Sequence, residues 1–375
     1  MKQGHWIVVL LGLILMVPSV ARGRAELPPT LEIGAPAPDF DLPGVDGRNY
    51  SLASFAHADI LVVVFTCNHC PTAQAYEERI QKLADDYKNK SVALVAISPN
   101  DPLSVRLDEL GYTDLSDSFA EMKIRAKDRN FTFPYLYDGE TEKASRAYGP
   151  TSTPHVFVFD KQRKLRFVGR IDNSEKIGTA TVHDTRNAIE ALLGGNKVPV
   201  EKTKTFGCSI KWSDKRASVK SAFEQWAQED VSLKTADEKQ IQELVRNASG
   251  NKLRLINVWA TWCGPCIVEF PELVAINRMY RGREFEMITI SADAPEKKDQ
   301  ALAFLRKQQA SSINYIFHID DKYKLVEVLD KEWPGSLPYT LVVEPHGKIL
   351  HRTMGPITPL ELKKVIVGWL GRYYK

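Results

Sequence analysis

The sequence predicts an α/β protein of two tandem domains, each a central mixed sheet flanked by helices, and three observations carry that reading. The chain has 375 residues, more than one core of ordinary size organises. A Cys-x-x-Cys pair directly after an apolar segment of strand length occurs twice, at Cys67/Cys70 and at Cys263/Cys266. Around each pair the same order of elements recurs: strand, Cys-x-x-Cys, helix, strand, helix, hairpin, helix. The expected boundaries are a leader over 1–25, a first domain over 26–195, a structured linker over 196–235 and a second domain over 236–375.

The leader has a basic start (Lys2, His5), an apolar run from Ile7 to Val17 and then Pro18-Ser19-Val20-Ala21. That is the layout of a secretory signal, with cleavage after Ala21 or Ala25. The run is short for a spanning helix, which needs about 20 residues; an uncleaved anchor facing the periplasm is the alternative. With no Cys near the cleavage region, lipid anchoring is not expected. The rest is read as exported, most simply to a bacterial periplasm, and the protein meets a membrane only if the leader stays attached.

In the first domain, Asp46-Gly47 between short extended pieces signals a hairpin. Ile60 to Phe65 is a continuous apolar strand of the kind buried on both faces. It runs into Thr66-Cys67-Asn68-His69-Cys70-Pro71 and a helix to about Tyr87. Val92 to Ile97 is the next buried strand. Ser116 to Arg129 reads as helical, Phe133 to Tyr137 as extended, and Thr141 to Tyr148 as a short helix. Val156–Phe159 and Leu165–Val168 form a hairpin, and Thr181 to Leu193 an amphipathic helix. The linker carries Cys208 and a helix for which Ser213 is the expected N-cap, with Val219, Phe223 and Trp226 on one face.

In the second domain, the strand Leu253–Val258 leads into Trp259-Ala260-Thr261-Trp262-Cys263-Gly264-Pro265-Cys266, and Leu273, Ile276 and Met279 follow at helical spacing. Phe285–Ile290 is a strand, and 296–309 and Asp321–Leu329 are helices. Strands Thr340–Val343 and Lys348–Arg352 flank Pro345-His346-Gly347, and a helix runs from Pro359 to Leu370. Each hairpin opens on an X-Pro step, Thr153-Pro154 and Leu337-Pro338. A Pro at that place is either a trans Pro at a plain loop–strand boundary or a cis Pro.

The chemistry sits in the thiols. Two sulfurs three positions apart at a strand–helix junction can close a disulfide. The first, at a helix N-terminus, meets unpaired N–H groups and the helix dipole, which favour thiolate. Half of a zinc site is the competing reading, but zinc wants two such pairs or a partnering His pair. A net charge of +3 with no basic block gives no ground for a nucleic-acid partner. Five Cys are too few to staple a scaffold of this size, and Cys208 is left unpaired.

Trp-Cys-Gly-Pro-Cys after an apolar strand resembles the thioredoxin active site. Glu269-Phe270-Pro271 and Asn257 make the second domain similar to the TlpA/ResA-like branch. That resemblance implies a thioredoxin-like fold, with Cys263 attacking, Cys266 resolving, Glu269 tuning the thiols or carrying protons, and Pro338 shaping a substrate groove. It also implies protein thiols and disulfides as partners, apocytochrome c or a membrane thiol reductase among them. No bound cofactor or metal is expected, because exchange runs through mixed disulfides.

The first domain resembles the AhpC/TSA-related, peroxiredoxin-like group in Gly34–Phe40, Phe131–Asp138 and Thr153-Pro154-His155. Its Cys67-Asn68-His69-Cys70 is similar to oxidising members of the thioredoxin superfamily: a cationic His69 at the helix end would stabilise the Cys67 thiolate. Pro154 takes the groove position, and Cys208 is a candidate resolving thiol for Cys67 or an inert buried Cys. Peroxiredoxins carry Thr or Ser three residues before the reactive Cys, whereas Thr66 stands one before Cys67. The expected function is therefore an exported thiol–disulfide oxidoreductase with two sites and an inter-domain relay, contributing to redox homeostasis. The alternatives are a thiol peroxidase with antioxidant activity, recycled by the second domain, and a copper-binding module at Cys67, His69 and Cys70.

Overall fold

The computed structural model describes residues 27–248 and 250–374; the leader expected over 1–25 lies outside them. In the first domain β1 (Asp41–Pro43) and β2 (Asn49–Ser51) form the expected hairpin. A five-stranded sheet follows, in the order β5-β4-β3-β7-β8. Its strands are β3 (Ile60–Phe65), β4 (Val92–Ser98), β5 (Tyr135–Tyr137), β7 (His155–Phe159) and β8 (Leu165–Gly169). β3, β4 and β5 run parallel and β7 and β8 antiparallel, so the sheet is mixed. The continuous apolar run of β3 follows from its central place. Ile60, Val62 and Val64 enter the core on one face, while Leu61, Val63 and Phe65 enter the core on the other.

The helices of this half are α1 (Pro71–Tyr87), α2 (Phe119–Asp128), α3 (Lys143–Tyr148) and α4 (Asp184–Leu193). α2 starts later than its periodicity implies, because the Ser118 hydroxyl caps it by accepting from Glu121 N. The connector is built into this half. Val198 joins the first core, and β9 (Cys208–Ser209) pairs antiparallel with β6 (Ser152–Thr153), setting Cys208 opposite Thr153. Gly207 makes that approach possible: φ is 115°, and a Cβ would stand 1.9 Å from the Thr153 carbonyl oxygen. Helix α5 (Arg216–Trp226) begins after Ser213, which lies in a 3-10 turn and is not its cap. Trp226 is buried, but Phe223 is 41% exposed, because its ring leans on Trp226 and lies under the Arg278 guanidinium instead of entering a core.

The second sheet has six strands, in the order β10-β13-β12-β11-β14-β15. They are β10 (Lys234–Ala236), β11 (Leu253–Trp259), β12 (Phe285–Ser291), β13 (Ile313–Phe317), β14 (Tyr339–Val343) and β15 (Ile349–Met354). α6 (Glu238–Arg246), α7 (Gly264–Tyr280), α8 (Lys298–Lys307), α9 (Lys322–Leu329) and α10 (Pro359–Leu370) accompany them. β10 straddles the expected boundary between linker and second domain, and β13 and α6 were not legible from periodicity. Both halves share the thioredoxin-like arrangement: a strand delivering the thiols, a helix after them, and an antiparallel hairpin opening on Pro.

The halves meet through a shared core. Val105 and Leu110, from the segment between β4 and α2, pack with Leu253, Leu273, Met279 and Ile366. Tyr280, ending α7, donates its hydroxyl to the Thr113 carbonyl at 2.8 Å. Arg283 reaches the Gly111 carbonyl at 2.8 Å. Among the described residues no helix is long and apolar enough to cross a membrane.

Candidate active sites: a disulfide pair and a three-thiol cluster

β11 delivers its thiols directly to the start of α7. Cys263 is the N-cap of the helix, its sulfur accepting from Cys266 N at 3.3 Å, and it is joined to Cys266 by a disulfide. Both sulfurs sit in a cluster with Trp259, Ala260 and Phe270. Trp262 and Val268 beside them are 65% and 80% exposed, an apolar rim in water next to a reactive bond. The Leu337–Pro338 peptide is cis, and Leu337 packs on the cluster that holds the sulfurs.

Glu269 lies three residues beyond Cys266, one helical turn along α7. Its carboxylate accepts from Asn257 Nδ2 at 3.1 Å and from Ile357 N at 2.8 Å. Burial raises its pKa, and those two hydrogen bonds offset the rise only in part. Among the described residues no cation is among the causes of that shift. Asn257 also donates to Thr340 Oγ1 at 3.0 Å, tying the carboxylate to the strand that follows Pro338.

The first site is built in a different register. The N-cap of α1 is Cys70, not Cys67, and its sulfur accepts from Ala73 N at 3.5 Å. Helix start against helix start, Cys70 corresponds to Cys263, and Ala73 stands where Cys266 stands. Cys67 lies upstream, in the turn that leaves β3. The expectation that helix-end stabilisation falls on Cys67 is thus corrected: Cys67 follows its strand by two residues where Cys263 follows by four, and the turn before α1 is one residue longer, so the N-cap falls on Cys70. Burial pushes the Cys70 thiol up, but hydrogen bonds from Cys208 and Cys67, the His69 charge and the Ala73 N–H outweigh it and hold it well below the ordinary thiol range. Cys67 goes the other way, raised by burial, by its bond to Cys70 and by the Asp117 charge.

Cys208 completes the cluster. Its backbone N–H donates to the Cys70 sulfur at 3.3 Å, and its thiol, raised first by the hydrogen bond to Cys70 and then by burial, is the donor of that contact. Cys67, Cys70 and Cys208 are all free thiols and pack together with Ala73. The Thr153 hydroxyl lies 3.1 Å from Cys67 Sγ, and its carbonyl accepts from the Cys70 thiol at 3.4 Å. The Thr153–Pro154 peptide is also cis. Cys208 was expected against Cys67; antiparallel pairing of β9 with β6 puts it against Cys70.

His69 is fully inside. Its Nδ1 donates to Asp117 Oδ2 at 2.5 Å; that carboxylate also accepts from Asn68 N (2.9 Å), His69 N (3.1 Å) and Asn100 Nδ2 (2.7 Å). Burial lowers the imidazole pKa, but the Asp117 charge and hydrogen bond raise it overall. Asp117 is lowered despite its burial, His69 being the main cause. Its distance of 48 residues from His69 hid Asp117 from sequence reasoning. Ligand atoms of Cys67, His69 and Asp117 lie within 4.8 Å of one another, yet Asp117 already accepts four donors and His69 Nδ1 is one of them. His69 and Asp117 form an ion pair within that set, and His69 Nε2 is buried without a hydrogen-bond partner.

The end of the chain covers this cluster. Arg372 donates to Asp114 Oδ1 (2.6 Å) and Gln74 Oε1 (3.3 Å), and Tyr374 sets its ring edge-on to Tyr112 and its hydroxyl against Cys208. The far end of α7 rests on Thr113, whose hydroxyl donates to the Asn68 carbonyl. The Cys263–Cys266 disulfide is at the opposite end of that 17-residue helix, about 25 Å away along its axis.

The chain matches the AhpC/TSA family over residues 33–168 and 226–352. It is 32% identical over 117 residues to the thiol:disulfide interchange protein HelX of Rhodobacter capsulatus, covering 31% of this chain and 59% of that protein. It is 29% identical over 133 residues to the thiol:disulfide interchange protein DsbE of Allochromatium vinosum, covering 35% and 67%. An uncharacterized conserved protein from Geobacillus kaustophilus, of known structure, is 36% identical with a TM-score of 0.44, over 48% of this chain and 93% of that one. The chain thus spans about three fifths of the length of HelX and two thirds of that of DsbE.

Proposed function

The chain belongs to the AhpC/TSA family, and from that footing we propose that it is an exported thiol–disulfide oxidoreductase with two independent sites acting on protein thiols and disulfides. One observation carries the reading: Cys263 caps α7 and is disulfide-bonded to Cys266, beside an exposed apolar rim and a cis proline. In this reading Cys263 attacks a substrate disulfide, Cys266 resolves the mixed disulfide, and Glu269 exchanges the proton. HelX and DsbE are named as thiol:disulfide interchange proteins, which favours the same chemistry. Export rests on the leader at 1–25, and apocytochrome c or a membrane thiol reductase is the partner class its TlpA/ResA-like residues favour.

At the first site attack falls to Cys70, stabilised by the α1 N-terminus and His69. The length of α7 counts against transfer between the two sites of one molecule, because exchange requires sulfur to reach sulfur. A relay would pass between two molecules. The decisive experiment is equilibration in glutathione and dithiothreitol buffers with Cys67→Ser/Cys70→Ser and Cys263→Ser/Cys266→Ser variants, reading each pair by mass. Two separable potentials support two sites. A first pair that never oxidises refutes that half.

A second reading, reduction of hydroperoxides at Cys70, is favoured by one observation. Cys70 is fully buried, so a small oxidant reaches it more readily than a protein does. Peroxide consumption by the Cys263→Ser/Cys266→Ser protein, lost on Cys70→Ser, would establish it.

A further inference from the structure

The first pair has an access problem. Cys67 is 2% exposed and Cys70 not at all, so no protein disulfide or dithiol can reach either sulfur as the domain stands. Cys208 is the one member of the cluster that meets solvent. It sits on a strand of two residues, held by pairing with β6 and by the close approach of Gly207. Its neighbours are the Cys70 sulfur on the inside and the Tyr374 hydroxyl on the outside.

We propose that Cys208 is the exchange port of the first site: protein partners react at Cys208, and Cys208 passes the disulfide to or from the buried Cys67/Cys70 pair. This rests on the reading of that pair as redox-active. Starting from a Cys67–Cys70 disulfide, the Cys208 thiol loses its proton and attacks Cys70 Sγ. The Cys70–Cys208 bond forms and the Cys67–Cys70 bond breaks; Cys67, though the poorer leaving group, is the one expelled because Cys208 lies against Cys70, and its thiolate takes up a proton. A partner dithiol then attacks the Cys208 sulfur, and Cys70 departs as thiolate. The sulfur bonded by the helix N-terminus is the better leaving group, so attack is directed at the outer sulfur. The partner's second thiol attacks its own sulfur in that mixed disulfide, releasing Cys208 and completing the partner disulfide. Two electrons pass from the partner dithiol to the Cys67–Cys70 disulfide, and the reverse order reduces a partner.

The test uses the full chain carrying Cys263→Ser/Cys266→Ser, oxidised and then mixed with dithiothreitol or with reduced, unfolded ribonuclease A. Adding Cys208→Ser removes a hydrogen bond to Cys70 and so alters both rates, but it is expected to slow exchange with the ribonuclease roughly tenfold or more beyond its effect on the dithiothreitol rate, because only the bulky thiol needs the port. Acid-quenched mixed disulfides should map to Cys208 by peptide mass spectrometry, a readout that does not depend on the variant. Ribonuclease exchange slowed no more than dithiothreitol exchange without Cys208, or adducts mapping to Cys67 or Cys70, overturns the port and leaves the redox pair standing. A Cys67/Cys70 pair that does not oxidise overturns both.

Discussion

Asp117→Asn offers the sharpest test of the first site, because it changes one charge and almost no volume. Asp117 is fully buried and accepts four donors. An amide oxygen can keep the two backbone N–H groups of Asn68 and His69. The amide nitrogen then faces His69 Nδ1 and Asn100 Nδ2, and Asn100 cannot simply turn over, since its oxygen accepts from Lys211 N at 2.9 Å. One buried donor is left without a partner, at about 1–3 kcal/mol, and a buried ion pair is broken, at about 3–5 kcal/mol when the remaining charge persists. His69 escapes part of that by losing its proton, so about 3 kcal/mol is the expected net loss. For a domain of this size that is a fall in Tm of about 6–12 °C.

The sign of the pH dependence separates this from general damage. Asp117 is depressed, so its contribution is present above 3.8 and is lost as pH falls through its folded value. His69 is raised, so its contribution is present below 6.5 and is lost as pH rises through its folded value. The deficit of Asp117→Asn should therefore be largest between those limits and shrink on both sides. Urea unfolding across that range measures it. Iodoacetamide labelling gives the functional readout: without the His69 charge the Cys70 thiolate is less favoured, and its labelling midpoint moves to higher pH. A stability deficit that does not vary with pH, together with an unmoved Cys70 midpoint, would refute the reasoning.

Four further outcomes follow. Glu269→Gln should be more stable than the native protein above the Glu269 titration and lose that advantage below pH 4.5, because a raised carboxyl pKa costs stability once the group ionises; the unpartnered Asn257 Oδ1 can turn to accept the new amide, and pH-dependent thermal melts will show the crossing. Ala73→Cys places a thiol where Cys266 stands, so the first domain should gain a disulfide between residues 70 and 73, detectable by peptide mass; its absence would argue against the register. Tyr374→Ala should speed alkylation of Cys208 with little change in Tm, since the ring covers the thiol from outside. Exchange between the two sites should be second order in protein; a concentration-independent rate would contradict the separation along α7.

Much of the architecture was legible locally. β3 and β11 announce themselves as apolar runs, and the Asp46-Gly47 hairpin by its turn. β10 and β13 were not, because edge and near-edge strands with mixed polarity lack the continuous apolar signal of the centre. Phe223 fits the periodicity of a core position and instead packs against an arginine, which no single-helix pattern reports. Glu269 and Asn257 were singled out by the TlpA/ResA-like resemblance, but the hydrogen bond between them exists only once α7 lies over β11.

What the sequence determined by itself is the local chemistry: two strand–thiol–helix units, two prolines opening hairpins, and which thiols stand near a helix start. Those properties are fixed by neighbours a few residues apart, where backbone geometry leaves few choices. Which sulfur caps the helix was decided by folding, since where β3 ends and where α1 begins together set which Cys falls at the N-terminus. So was the company the sulfurs keep. Asp117, Cys208, Arg372 and Tyr374 reach the first site from distant parts of the chain through sheet pairing and domain packing, interactions whose energy depends on the whole core and leaves no mark in any short window of sequence.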